Sequence, residues 1–220
     1  MLYVIATPIG NLGDITIRAL EVLKGVDLIA AEDTRHSGIL LKHYDIQKPL
    51  VSYHEHNEAM RTAQLVERLT AGETIALITD AGLPGISDPG FRIIRECIRR
   101  DLPFEILPGA SSILTALVGS GLPTDKFFFG GFLPPKSGGR ERELKAAVER
   151  PETSIFFESP YRLIKTLAAA REIMPERTLC VARELTKKFE EYRRGQAGEL
   201  LAHYEAKPPK GEIVLLISGA

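Results

Sequence analysis

The chain has 220 residues, of which 44% are hydrophobic and 26% charged, with 28 Lys and Arg set against 29 Asp and Glu. That length suits one large domain or two of about 100 residues, and burial of roughly 70% of the unfolded surface removes any need for staples. The charge balance excludes a uniformly basic nucleic-acid coat but not a local basic patch, and no apolar stretch approaches the ~18 residues of a membrane-spanning helix. Cys97 and Cys180 fit no C-x-x-C or zinc spacing, which predicts reduced thiols in a cytoplasmic protein. The start, MLYVIATPIG, has neither the charged leader nor the small-residue cleavage pattern of a signal peptide.

In chain order, the predicted strands of the first half are LYVIA (2–6), DLIAAE (27–32), PLVSY (49–53), TIALIT (74–79) and PFEIL (103–107). Between them lie amphipathic helical patterns, TIRALEVLKG, NEAMRTAQLVERLTAG and FRIIRECIRR. Alternation of this kind predicts a mainly parallel sheet covered by helices, and the near-continuous apolar runs fit strands buried on both faces. ASSILTALVGSGLPTD (110–125) reads as a helix and a Gly/Pro turn, which places a domain boundary there, with domains over 1–112 and 113–220. The second half offers FFFGGF, TSIFFE, TLCVARE, FEEYRRG and EIVLLIS as strands. TLCVARE and FEEYRRG are separated by too few residues for a helix and should form an antiparallel hairpin, so this sheet is mixed. The expected fold is two tandem α/β domains.

Ligands of parallel α/β sheets bind beyond the carboxyl ends of the strands. The segments there are TPIGNLGD, DTRH, HEHNE, DAGLPGISDPG and PGASS, three of them rich in Gly and Pro. Such loops suit a preformed pocket lined by main chain. No P-loop is present, and GNLG falls short of a dinucleotide fingerprint. Asp80 and Asp88 would repel a pyrophosphate yet could accept from ribose hydroxyls or sit near a cation. A nucleoside with a positive centre and no phosphate, such as S-adenosylmethionine, fits better than NAD or ATP.

ATPIGNLGDIT, AAEDTRH, SYHEHNE, DAGLPGISDPG, PGASS, SGLPTDKF, GFLPPK, FFESPYR, VARELTK and PPKGE follow one another from end to end. In this the chain closely resembles the tetrapyrrole-methylase superfamily, and within it the branch that methylates the ribose 2′-oxygen of a cytidine in small-subunit ribosomal RNA. PGASS is shared with porphyrin and corrin methylases, whereas EDTRH, SYHEHNE and GFLPPK point to the RNA branch. The resemblance implies two α/β domains, S-adenosylmethionine held between them, a homodimer, and the small ribosomal subunit or its RNA as partner. It implies that Pro8, Asp80, Gly82, Leu83, Ser111 and Ser112 line the cofactor, with Phe157 and the backbone near Lys210 closing over it. Leu83 replaces a more usual Thr and Tyr161 a more usual His, which removes a hydroxyl contact and weakens a proton-transfer role there. Some members carry a further C-terminal segment where this sequence stops.

Catalysis needs a base for the ribose hydroxyl proton. The candidates are Asp33, Glu55, His56, Asp88, Glu184 and Lys187, and Glu184 with Lys187 is preferred because RELTK would face the cofactor from the second domain. RNA contacts need cations. Lys136 and Arg140, in the flexible basic stretch KSGGRERELK, are expected to supply them, with Arg35, Arg162, Arg183 and Arg194.

Plainer readings stand beside these. Asp33–Arg35 is equally a helix N-cap with a surface ion pair, KSGGRERELK a solvated helix start, and Glu184–Lys187 a structural pair at the hairpin. Phe127–Phe129 reads as core or dimer interface. His54 and His56 lack a third ligand, so no metal is expected. Rival functions are a porphyrin or corrin-precursor methylase and a non-catalytic ribosome-assembly factor, the latter opposed by the intact Gly/Pro loops.

Overall fold

Burial on both faces is what makes β1 (Leu2–Ile5), β2 (Leu28–Ala31) and β4 (Ile75–Ile78) near-continuously apolar. They form the centre of a five-stranded sheet in a computed structural model that describes Met1–Ala220 as two compact units, Met1–Ser111 and Ser112–Ala220.

In the first unit the order is β3-β2-β4-β1-β5, with β3 at Leu50–Ser52 and β5 at Phe104–Leu107, and every pairing is parallel. Alternate side chains feed two cores. Ile5, Ile29, Ala31, Ala76 and Ile78 meet α1 (Ile17–Gly25) and α2 (Thr34–His43) on one face. Val4, Leu28, Ala30, Ile75 and Leu77 meet α3 (Glu58–Thr70) and α4 (Phe91–Arg99) on the other. Cys97 is buried in this second core. Thr16 caps α1 by accepting from the Ala19 amide at 3.1 Å.

The second unit opens with α5 (Ser112–Ser120) and carries β6 (Phe127–Phe132), α6 (Ser137–Glu149), β7 (Thr153–Glu158), α7 (Leu163–Ile173), β8 (Thr178–Arg183), β9 (Glu191–Gln196), α8 (Ala197–Ala206) and β10 (Ile213–Ile217). Its sheet runs β6-β7-β10-β8-β9 and is mixed as expected, with β6 parallel to β7 and the other pairs antiparallel. Leu215, Val181 and Phe156 pack under α6, α7 and α8.

On α5, Gly119 lets the helix lie against the Tyr192 ring, whose hydroxyl donates to the Thr115 carbonyl at 3.2 Å. An added Cβ would fall 2.3 Å from that ring. Gly119→Ala should therefore cost about 1–3 kcal/mol by overpacking, read as a lower urea midpoint, even though alanine favours helix.

One sequence expectation needs correction. KSGGRERELK is no flexible stretch, because α6 begins at Ser137. Arg140 is only 6% exposed and sits at helical spacing with the buried Leu144 and Ala147, so its stem packs inward while Nη1 donates to the Pro135 carbonyl at 3.3 Å. DTRH opens α2, capped by Asp33 with an exposed Asp33–Arg35 ion pair, as the plainer reading of that segment expects.

Candidate functional site

The connection after β1 leads to β2 through α1, and that after β4 leads to β5 through α4, on opposite faces of the sheet. Ligands of such sheets bind beyond the carboxyl ends of the strands. In the first unit the loops TPIG, after β1, and DAGLPG, after β4, lie side by side at that edge and leave it for opposite faces.

The two loops are tied to one another. Thr7 N donates to the Gly82 carbonyl at 2.9 Å, Gly82 N returns the bond at 3.0 Å, and Thr7 Oγ1 donates to the Thr79 carbonyl at 3.0 Å. Gly82 has φ +82, a conformation that costs glycine nothing and other residues dearly. The third Gly-rich loop rests on the first, since a Cβ on Gly109 would lie 2.8 Å from Ala6 Cβ. Pro8 follows Thr7 directly, and Ser111 ends this unit. Leu83 packs against the α3/α4 core, so its side chain serves the fold as well as any ligand.

Three carboxylates gather at the same edge. Glu32 follows β2 directly, Asp80 lies two residues past the neighbouring β4, and Asp88 lies farther along the same loop. The Asp33 amide donates to Asp80 Oδ1 at 3.2 Å, and the Asp80 amide to Glu32 Oε2 at 3.4 Å. Burial pushes Asp88 up to about 7, with the charges of Glu32 and Asp80 adding to it. Burial also raises Glu32, against the Asp80 amide, which donates to its carboxylate and holds it down. Nearby, Thr79 Oγ1 and His54 Nδ1 are buried without partners. Glu58 fastens the far end of the loop, accepting from the Gly90 amide at 3.2 Å and Arg92 Nε at 3.1 Å. Glu32 escaped sequence reading because it looked like the last residue of a strand. A carboxylate directly after a fully apolar run was the available signal.

In the second unit Ser112 begins α5, and half-buried Phe157 lies edge-on to Phe129 and Phe132 at 5.0 and 5.2 Å. The Lys210 carbonyl accepts from Arg183 Nη1 at 3.1 Å. Glu184 and Lys187 do meet, at 3.0 Å, but Lys187 also binds Glu212 at 2.9 Å, and Glu184 accepts the Glu212 amide at 3.1 Å. Against the upward push of burial, that amide and the Lys187 ammonium hold the Glu184 carboxyl below its usual range. A carboxylate so fully engaged is a poor proton acceptor.

The cations expected to meet RNA divide in the same way. Arg162 is bound to Glu158 at 3.0 Å and to the Leu133 carbonyl at 3.2 Å, and Arg183 to Glu191 at 3.2 Å. Arg194 donates to the Ser120 carbonyl at 2.6 Å. These three brace the second unit, as Arg140 does. Arg35 stays exposed although its guanidinium forks onto Asp33, and Lys136 is exposed at the start of α6. His54 and His56 face one another at 6.0 Å, and no group of three or more His, Cys, Asp or Glu residues is arranged to hold a metal. No helix is long and apolar enough to cross a membrane.

Residues 1–201 match the model of the family described as Tetrapyrrole (Corrin/Porphyrin) Methylases. Among curated proteins, the chain is 48% identical to a ribosomal RNA small subunit methyltransferase I of Synechocystis sp., covering 100% of this chain and 79% of that protein. The protein of the same name in Thermotoga maritima is 45% identical, with 99% and 98% covered. A solved diphthine synthase superposes with a TM-score of 0.75 over 99% of this chain and 89% of its own, at 13% identity, a likeness of fold alone.

Proposed function

Because the chain belongs to the tetrapyrrole (corrin/porphyrin) methylase family, we propose that it transfers the methyl group of S-adenosylmethionine to the ribose 2′-oxygen of a cytidine in small-subunit ribosomal RNA. The observation that carries the substrate is full-length identity of 45–48% to proteins named for methylating that RNA. By the family resemblance it works as a homodimer, and in the cytoplasm.

The carboxyl edge of the first unit's sheet suits the cofactor. Its carboxylate trio favours a cationic guest and disfavours phosphate, and its walls are main chain pinned by the Thr7–Gly82 bridge. We assign Pro8, Asp80, Gly82, Leu83 and Ser111 to it, and by the family resemblance Ser112, Phe157 and the Lys210 backbone also to cofactor contacts. S-adenosylmethionine supplies a methyl group activated by sulfonium, so the hard chemistry is the cofactor's. The chain must hold the ribose oxygen in line and accept its proton.

For that proton we assign Asp88 in preference to the Glu184–Lys187 pair. Its neighbours are acidic rather than basic, and its carboxyl titrates near neutrality. Glu184 and Lys187, with Glu212, then serve to hold the turn after β8 in shape.

Incubation of the protein with labelled S-adenosylmethionine and small subunits lacking their native methylation should place label on one cytidine ribose, mapped by mass spectrometry. Cofactor binding without label on subunits or free RNA would refute the RNA reading and favour a small-molecule acceptor. Absence of cofactor binding by calorimetry would favour a non-catalytic role.

A further inference from the structure

In the second unit, β7 and β8 both run opposite to β10, and β6 runs with β7. The carboxyl ends of β6, β7 and β8 therefore share one edge with the start of β9. Three aromatic side chains stand exposed there. Phe132, the last residue of β6, is 60% exposed, Tyr161 beyond β7 is 93% exposed, and Phe189 in the turn before β9 is 64% exposed.

None of the three is loosely held. Phe132 follows a break in the β6–β7 register and leans edge-on against Phe157 at 5.2 Å. Tyr161 sits between Ser159, whose Oγ accepts its amide at 3.3 Å, and the anchored Arg162. The turn carrying Phe189 contains two non-glycine residues in the left-handed region, Glu184 (φ 52) and Thr186 (φ 63). It is closed by Lys187 N to the Glu184 carbonyl at 3.0 Å, Glu190 N to the Lys187 carbonyl at 3.1 Å and Thr186 N to Glu190 Oε2 at 2.6 Å. Its other apolar residue, Leu185, is buried, so the turn has an inside, and Phe189 is kept out of it.

A single exposed aromatic needs no explanation. Three on one edge, on braced backbone and among cations, do. Lys188 Nζ lies 5.6 Å over the Phe189 ring, and Lys136 is exposed four residues after Phe132. A protein-binding patch is depleted of lysine at its centre, whereas rings alternating with lysines suit stacked bases and the phosphates between them.

We propose that this edge is a stacking platform for single-stranded RNA, with Phe132, Tyr161 and Phe189 taking unpaired bases and Lys136 and Lys188 the backbone. The proposal rests on the RNA reading above and specifies the form of the substrate. Four strand spacings of ~4.8 Å set the edge at about 19 Å, room for a few nucleotides. Bases so held are unstacked from their neighbours, which leaves a ribose hydroxyl open to reaction.

The test uses the full chain and a labelled single-stranded oligoribonucleotide, with the same sequence annealed to its complement as control. Phe132→Ala, Tyr161→Ala and Phe189→Ala should each weaken single-strand binding about five- to hundred-fold, while Tyr161→Phe and Phe189→Trp keep it. Affinity for S-adenosylmethionine should be unchanged in the Tyr161 and Phe189 variants, which also certifies folding. A triple alanine variant that binds RNA and methylates subunits as the unsubstituted protein does would overturn the platform and leave the methyltransferase reading intact. A triple variant that instead loses self-association, with RNA affinity unchanged, would overturn it in favour of an interface between copies. An unsubstituted protein that neither binds nor methylates RNA would overturn both.

Discussion

Glu158→Ala should lower the stability of the second unit by about 3–5 kcal/mol, read from equilibrium urea unfolding. The Glu158 side chain is fully buried at the end of β7, where the FFESPYR segment turns into α7. Its carboxylate accepts from the Ser159 amide at 2.7 Å, Thr166 Oγ1 at 2.5 Å and Arg162 Nη2 at 3.0 Å. It also places negative charge at the amino end of α7, where the helix dipole favours it. Alanine would leave Arg162, itself mostly buried, without its counter-charge and Thr166 without its acceptor. That unpaired charge, rather than the loss of the pair's own attraction, sets the size of the effect. Glu158→Gln keeps an acceptor for Thr166 and should cost clearly less. Equal stability of the alanine variant and the unsubstituted protein would show that water or another group satisfies Arg162.

Asp88→Asn should reduce the methyl-transfer step about 10²–10⁴-fold while cofactor affinity changes far less. A base works deprotonated, and burial together with Glu32 and Asp80 brings Asp88 to about 7. The single-turnover rate should therefore rise with pH and level off above neutrality, and Asp88→Asn should flatten that rise. Glu32→Gln removes one of the repelling charges, so its profile should shift to lower pH with the same plateau. Stability follows the opposite course. A carboxyl whose folded pKa lies above its unfolded value of 3.8 binds more protons folded than unfolded between the two, so the fold weakens as pH rises through that range and changes no further above it. A full-rate Asp88→Asn variant would return the proton to another acceptor.

The cations expected to meet RNA show where sequence reading stops. Arg140, Arg162 and Arg183 looked no different from Lys136 as charges on a string, and only packing reveals that each is consumed by a carbonyl or a carboxylate of its own unit. RELTK fared similarly. Glu184 and Lys187 pair as their spacing allows, but the third member, Glu212, comes from 25 residues beyond Lys187 and turns the pair into a brace. The Gly/Pro loops, in contrast, were legible in sequence, because backbone freedom and rigidity are properties of the residues themselves.

By itself, then, the sequence determined the alternation of strands and helices, the mixed second sheet and the loops at one edge. Each follows from local periodicity, turn chemistry and connection length, which act over a few residues. Tertiary structure decided the strand order β3-β2-β4-β1-β5, and with it the pairing of the β1 and β4 loops. It also brought Glu32, Asp80 and Asp88 within range of one another's charge, chose which arginines remain open, and left three aromatic rings outside the second core. These outcomes depend on distances between residues far apart in the chain, and electrostatic coupling and burial exist only once those distances are set.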